Sequence, residues 1–224
     1  MTMTHKNNHS DAIQDLIIGY QSFYHKYFQS PDTSIYKDLV TEGQAPKTAI
    51  IACSDARVDP ALILNCSPGD LFVIRNVANL VPPCENDAKH HGTSAALEFA
   101  ICFLEVEHVI VLGHTHCGGI QSLLNDAAEV GQKSFISHWM EIAKDARAKA
   151  MNEYSTSHDR EKHCGEYSLM ASYHNLHSFP WVKARVDAGT LSVHAWHFDL
   201  ETGLISRFNA EKKAFENIVG ASIA

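Results

Sequence analysis

The sequence holds no Cys-x-x-Cys pair, no stretch near 18 consecutive apolar residues and fewer basic than acidic side chains. Each absence excludes something. Without a long apolar run, nothing in it reads as a membrane-spanning helix. With 18 Lys and Arg against 26 Asp and Glu, a net charge of -8, it lacks the basic stripe of a nucleic-acid binder and the positive charge that docks on an anionic membrane. Its six cysteines, Cys53, Cys66, Cys84, Cys102, Cys117 and Cys164, are too widely spread for the dense framework of a small secreted disulfide protein. The first twenty residues carry a single lysine and no apolar run of seven, so no signal peptide is visible, and a reducing cytoplasm is the expected compartment. There is no internal repeat, no low-complexity tract and no Pro/Gly-rich linker.

What is present is enough for a real core. At 224 residues and 45% hydrophobic, folding would bury roughly 70% of the surface of the unfolded chain. The expectation is one domain over 1–224, with residues 1–43 as an N-terminal helical arm. Ile13, Leu16, Ile17, Tyr20, Phe23, Tyr24 and Tyr27 recur at three and four, which is helical spacing. Then Thr48 to Cys53, Leu71 to Arg75 and His108 to Leu112 read as apolar strands, the first as a run buried on both faces. An apolar helix from about Ser94 to Leu104 separates the second and third. This alternation predicts an α/β fold, a mostly parallel central sheet flanked by helices. Two amphipathic stripes follow, Phe135 to Ala150 and Leu169 to Leu176, with polar residues 152–165 read as a loop between them. Leu191 to Phe198 and Leu204 to Phe208 flank a turn at 199–203 and predict an antiparallel C-terminal hairpin strand.

Open parallel sheets bind ligands beyond the carboxyl ends of their strands. After the first strand stands Cys53-Ser54-Asp55-Ala56-Arg57, and after the third Gly113-His114-Thr115-His116-Cys117-Gly118-Gly119. If those strands are neighbours, about 5 Å apart, Cys53, His114 and Cys117 converge on one ion. Two thiolates and an imidazole suit zinc, and three protein ligands leave a fourth position open, as a catalytic site requires. Taken singly these residues say little, because a buried cysteine at a strand end is commonly a small hydrophobe. The charged pair Asp55 and Arg57 answers no structural need at that point, and Gly118-Gly119 lets the backbone pass close to an ion.

These motifs, together with Arg75-Asn76-Val77-Ala78-Asn79, resemble in order and spacing the three signatures of the beta-class carbonic anhydrases. The resemblance runs most specifically from about Gln44 to Leu124. It implies the fold of that family, one zinc ion per subunit on Cys53, His114 and Cys117, and a catalytic dyad of Asp55 and Arg57. It implies reversible hydration of carbon dioxide to bicarbonate and a proton. It further implies a substrate pocket formed by the Gln44 amide, the apolar Phe72 and Val77, and a backbone amide of Gly118. A homodimer or homotetramer is implied as well, with the N-terminal helix across a partner. His116 beside the ligands is a candidate proton shuttle, since imidazole titrates near neutral pH.

Two positions depart from part of the family. Some bacterial members carry Trp three residues before the first ligand and Gly one before it, belonging to an inhibitory bicarbonate site; here Ile50 and Ala52 stand there. The expectation is therefore an accessible site with Asp55 paired to Arg57. Two rival functions stay open at this point: hydrolysis of carbonyl sulfide or carbon disulfide on the same fold, and non-catalytic zinc or bicarbonate binding.

Overall fold

The computed structural model describes residues 9–30, 35–87, 89–125 and 134–218. The chain divides into two compact units, 1–44 and 45–224. In the first, α1 (His9–Tyr24) continues through a π-helical turn, and α2 (Ile35–Glu42) follows. Its aromatic residues cluster among themselves: Phe28 stacks on Tyr36 with centroids 5.0 Å apart, and Phe23 lies 4.9 Å from Tyr27. Tyr20, Phe23 and Tyr24 nevertheless stay exposed.

The second unit is built on a six-stranded sheet, order β2-β1-β3-β4-β5-β6. The strands are β1 (Thr48–Cys53), β2 (Leu71–Asn76), β3 (His108–His114), β4 (Ser192–Phe198), β5 (Ile205–Asn209) and β6 (Ala214–Asn217). β1 pairs in parallel with both β2 and β3, and β3 in parallel with β4; β5 and β6 return antiparallel. β1 and β3 lie inside the sheet, which is why both are nearly unbroken apolar runs. Side chains alternate between the two faces. Ala49, Ile51, Val109 and Val111 join one buried cluster with Leu97, Ile101, Leu169 and Leu176, while Ile50, Ala52, Ile110 and Leu112 form another. Each fully buried leucine here contributes about 1.5–3 kcal/mol.

The helices are α3 (Pro60–Ile63), α4 (Gly92–Glu98), α5 (Gly118–Leu124), α6 (Phe135–Met140), α7 (Lys144–Glu153), α8 (Ser157–Leu176) and α9 (Pro180–Asp187). Among the described residues no helix is long and apolar enough to cross a membrane.

Three readings of the sequence need revision. The polar stretch 152–165 is mostly helix, because α8 begins at Ser157. The Thr156 hydroxyl accepts from the Asp159 amide and caps the start, and the polar residues form the solvated face of a helix whose other side buries Cys164, Ser168 and Leu169. The stripe Phe135 to Ala150 is broken into α6 and α7 by a 3-10 turn at Glu141–Ala143. β3 runs two residues further than expected, to His114, so the imidazole is set by sheet geometry rather than by a loop. α9 and β6 were not anticipated.

Candidate metal centre

β1 and β3 are hydrogen-bonded neighbours, with Ala52 level with Leu112. Their carboxyl ends therefore deliver Cys53 and His114 side by side. Cys117 follows after a tight turn as the residue preceding α5, with extended backbone at φ -72° and ψ 118°. One ligand atom from each of Cys53, His114 and Cys117 lies within 4.8 Å of the others, and the two sulfurs are 3.9 Å apart. All three residues are 3–4% exposed, so the cluster is buried.

The donor set fits a divalent cation. His114 Nδ1 lies 2.8 Å from the Thr115 carbonyl, which only accepts, so that nitrogen carries the proton. Nε2 is left with a lone pair, and it is a buried polar atom without a hydrogen-bond partner. Buried polar atoms are rarely left so; here the orphan belongs to the same cluster as two sulfurs. A carbonyl fixing the imidazole tautomer is the usual outer support of a metal-binding histidine. The two sulfurs share a proton. The hydrogen bond with Cys117 lowers the Cys53 thiol, and that same bond, with burial, pushes Cys117 up. Ligation requires both as thiolates, so a cation would take the place of that proton. Three residues and two negative charges suit zinc with an open position.

Backbone amides surround the sulfurs. Those of Asp55 and Ala78 help to lower the Cys53 thiol, and those of Gly119 and Ile120 oppose the rise at Cys117. Ala78 sits in the turn Val77–Asn79, just after β2, at φ 62° and ψ 25°. That left-handed conformation costs a non-glycine residue about 1–2 kcal/mol, and the surroundings fix it. Asn76 brackets the turn by donating from Nδ2 to the Leu80 carbonyl and accepting at Oδ1 from the Leu80 amide, both at 2.8 Å. The Trp139 indole, on α6, donates to the Val77 carbonyl at 2.8 Å. Gly119 closes against the turn: a Cβ there would stand 2.9 Å from Val77 Cγ1 and 3.0 Å from Ala78 Cβ.

Asp55 and Arg57 lie at the same edge. Arg57 Nε donates to Asp55 Oδ1 at 2.9 Å and Nη2 to Oδ2 at 2.7 Å, a fork on a carboxylate. This pairing holds the Asp55 carboxyl well below the usual carboxylate range. Arg57 Nη2 also donates to the His116 carbonyl at 3.0 Å, tying the loop after β1 to the loop after β3. Arg75 supports the first loop from β2, donating to the carbonyls of Cys53 and Asp55 and to the Asp59 carboxylate.

The other residues expected at the site divide. Val77 touches it through Gly119. Gly118 opens α5, but the amides that reach Cys117 are those of Gly119 and Ile120. Phe72 pairs with Ala49, four residues before the level of Cys53, roughly 13 Å along the strand. It packs toward Phe99, centroids 6.0 Å apart. Gln44 is the last residue of the N-terminal unit and is exposed. His116 turns its ring onto two carboxylates, Nε2 2.8 Å from Glu201 and Nδ1 3.4 Å from Glu161, and Glu201 raises its pKa. The ring lines a cavity of about 170 Å³ with His114, Cys117, His158, His197 and Asp199. Reading the sequence missed Ala78, Gly119, Ile120 and Trp139 as support for the sulfurs. A double glycine after a cysteine hinted at Gly119; nothing local pointed to Trp139, 62 residues from its acceptor.

Comparison with known proteins agrees with this geometry. A family described as carbonic anhydrase matches residues 48–205. Beta carbonic anhydrase 5, chloroplastic, of Arabidopsis thaliana is 38% identical over 196 residues, 87% of this chain and 64% of that protein. Beta carbonic anhydrase 3 of the same plant is 32% identical over 92% of this chain and 81% of its own length. The chain thus spans less than two thirds of the first of these relatives. Among solved structures, the beta-carbonic anhydrase CcaA superposes with a TM-score of 0.85 at 32% identity, covering 92% of each chain. A tetrameric beta-carbonic anhydrase of Sordaria macrospora does so with a TM-score of 0.74 at 27% identity, over 92% of this chain and 98% of that one.

Proposed function

The chain belongs to the beta-carbonic anhydrase family, and from that membership we propose that it interconverts carbon dioxide and bicarbonate at a zinc ion held by Cys53, His114 and Cys117. The observation that carries the reading is the buried two-sulfur, one-imidazole cluster with its unpartnered Nε2, set beside an ionised carboxylate. A zinc ion there would act as a Lewis acid and bring the pKa of a coordinated water near 7. The residues of the chain supply the rest. Asp55, kept ionised by Arg57, accepts a hydrogen bond from the attacking water and so aims its lone pair at the substrate carbon. Arg57 fixes the carboxylate by the fork and the His116 carbonyl by its third bond, so the two loops keep one spacing. Val77 and Ile120 offer the apolar surface that an uncharged gas needs. His116, between Glu161 and Glu201, is placed to pass the proton outward into the 170 Å³ cavity.

The proposal extends to assembly and place. β2 is a sheet edge; Val73 on it, and Phe99 and Phe103 on the π-helical turn that follows α4, remain exposed, Phe103 by 71%. A second copy of the chain on this surface would cover them and bring Phe72 into an interface, as a homodimer or the pair within a homotetramer. The six cysteines are all free, which suits a reducing compartment, the cytoplasm. Residues 1–43 act as an arm of the single catalytic domain and Gln44 as a substrate contact.

Stopped-flow hydration of carbon dioxide with a zinc assay, on the parent and on Asp55→Asn, tests the reaction. The parent should carry one zinc per subunit and hydrate; the variant should keep zinc and lose most activity. Zinc without hydration in the parent overturns the reaction and leaves the site to carbonyl sulfide or carbon disulfide hydrolysis, or to bicarbonate binding.

A further inference from the structure

Residues 114–117 carry two of the three ligands, and the segment between those ligands is strained. His116 is left-handed at φ 55°, a conformation that sterics oppose for a residue with a Cβ. Such angles persist only where the surroundings over-determine them. The peptide between Thr115 and His116 lies directly before that angle, and its carbonyl is the one that accepts from His114 Nδ1 at 2.8 Å. Relaxation of His116 toward ordinary backbone angles would turn this carbonyl away from the imidazole. On the far side of His116, Arg57 Nη2 grips the next carbonyl at 3.0 Å.

The near side is gripped by the turn 199–203 between β4 and β5. The Thr115 amide donates to the Phe198 carbonyl at 3.0 Å, which extends the pairing of β3 with β4 by one residue. The Thr115 hydroxyl accepts from the Leu200 amide at 2.9 Å and reaches the Asp199 carboxylate at 3.4 Å. Asp199 orders the turn itself, its carboxylate accepting from the Glu201 amide at 2.9 Å and the Thr202 hydroxyl at 2.7 Å. Any residue but proline could make the amide bond of Thr115. The bond to Leu200 needs a side-chain hydroxyl.

We propose that Thr115 is a positioning residue of the metal centre: its hydroxyl, seated on the Leu200 amide, locks the Thr115–His116 peptide so that the Thr115 carbonyl keeps the proton on His114 Nδ1 and leaves Nε2 free to bind metal. This rests on the zinc reading above. The hydroxyl bonds a turn 85 residues along the chain, so it acts on His114 through the main chain alone.

The test separates the hydroxyl from the rest of the residue. Thr115→Val removes it and keeps the branched shape; Thr115→Ser keeps it and drops only the methyl. Replacing Leu200 by its α-hydroxy acid removes the same bond from the turn, with every side chain in place. Thr190→Val is the control, because its hydroxyl also bonds side chain to main chain, with Arg185, but at the amino end of β4. The readouts are zinc release to a chromophoric chelator and the ligand-field bands of the cobalt-substituted protein, neither of which needs turnover. Loss of the outer partner of a metal-binding histidine typically costs about 10- to 100-fold in metal affinity; here the carbonyl is loosened and not removed, so Thr115→Val and the Leu200 ester should release zinc about 3- to 10-fold faster and shift the cobalt bands. Thr115→Ser and Thr190→Val should match the parent. Parent-like release and bands in the proteins lacking the bond overturn the proposal, as does a change in Thr115→Ser or Thr190→Val as large as in Thr115→Val. If Thr115→Val does not fold, the ester and Thr115→Ser decide between these outcomes. Zinc uptake without hydration in the parent would fail the proposed reaction alone; a parent that takes up no zinc overturns both.

Discussion

At their carboxyl ends β1 and β3 deliver Cys53 and His114 into a buried cluster; at their amino ends the same two strands start beside Lys47 and Glu107. That pair is also close, 2.7 Å, yet its side chains are 71% and 53% exposed. A hollow of about 700 Å³ lies at the amino end, lined by Pro46, Lys47, Glu107, His108, Arg185 and Leu191 among others. It is far larger than the 170 Å³ cavity at the carboxyl end. Its charges are nonetheless spent on structure: Arg185 donates to the carbonyls of Ile101 and Thr190, tying α9 to its neighbours. At the carboxyl end the polar atoms exceed what the fold uses, and one of them, His114 Nε2, has no partner at all. The lesson is that unspent buried polarity marks the site where it gathers with other ligand atoms, since Ser168 Oγ on α8 is unpartnered as well, and that the size of the hollow does not. Substitutions at the two ends should therefore differ in kind as well as in degree.

The largest effects belong to the ligands. Cys53→Ser and His114→Ala should each abolish stoichiometric zinc and lower hydration by more than about 10²-fold, the upper end of what losing a mere outer-shell partner costs. Their melting temperatures should no longer rise on adding zinc, whereas that of the parent should, because a ligand that binds only the native state stabilises it. Metal analysis and a zinc titration of Tm check both. A variant that keeps zinc would break the contrast between the two ends. Next comes Asp55→Asn, which should keep zinc and lose about 10²-fold in turnover, the scale of a lost general acid–base contribution. Turnover within threefold of the parent would reduce the Asp55–Arg57 fork to a strut between loops.

How much of this was legible beforehand follows the same division. Interior strands announce themselves because burial on both faces leaves no room for polar residues, so β1 and β3 stood out as TAIIAC and HVIVL, the last two residues of β3 being added by the structure. The convergence of Cys53, His114 and Cys117 followed from strands adjacent in the sheet. α8 was half hidden, since its solvated residues between Ser157 and Glu166 carry no apolar period and only the Thr156 and Asp159 cap betrays its start. Phe72 and Gln44 were expected in the substrate pocket; the register shows Phe72 four residues below the level of Cys53. The amides on the sulfurs were illegible for a plain reason: a backbone N–H has no letter in a sequence. Gly119 was the partial exception, since a residue without a Cβ leaves a trace of close approach.

Gly119→Ala sharpens the comparison at intermediate size. The added methyl would meet Val77 Cγ1 at 2.9 Å and Ala78 Cβ at 3.0 Å, and crowding a packed turn typically costs about 1–3 kcal/mol. Urea unfolding should show that loss, with zinc held less tightly because the amides on both sulfurs shift. Gly118→Ala, where a Cβ meets nothing within 4 Å, should leave both quantities near those of the parent. Equal losses in the two variants would mean that general helix-start effects, and not the approach to Val77 and Ala78, set the requirement for glycine.

The smallest effect is expected at the amino end. Lys47→Ala removes one side of a close ion pair, but an exposed pair is screened by water and costs side-chain freedom to form. Zinc content and turnover should match the parent, with Tm shifted by under about 2 °C. Lys47 holds the Glu107 carboxyl below its ordinary value, which fixes the sign of any pH dependence. A lowered carboxylate contributes its stability above the unfolded pKa of about 4.3 and loses it as pH falls through the lower folded value. Whatever difference in Tm exists at pH 7 should therefore shrink below about pH 4. A loss of turnover in Lys47→Ala would mean that charge at the amino end of β1 reaches the carboxyl end, and burial alone would then no longer separate the two.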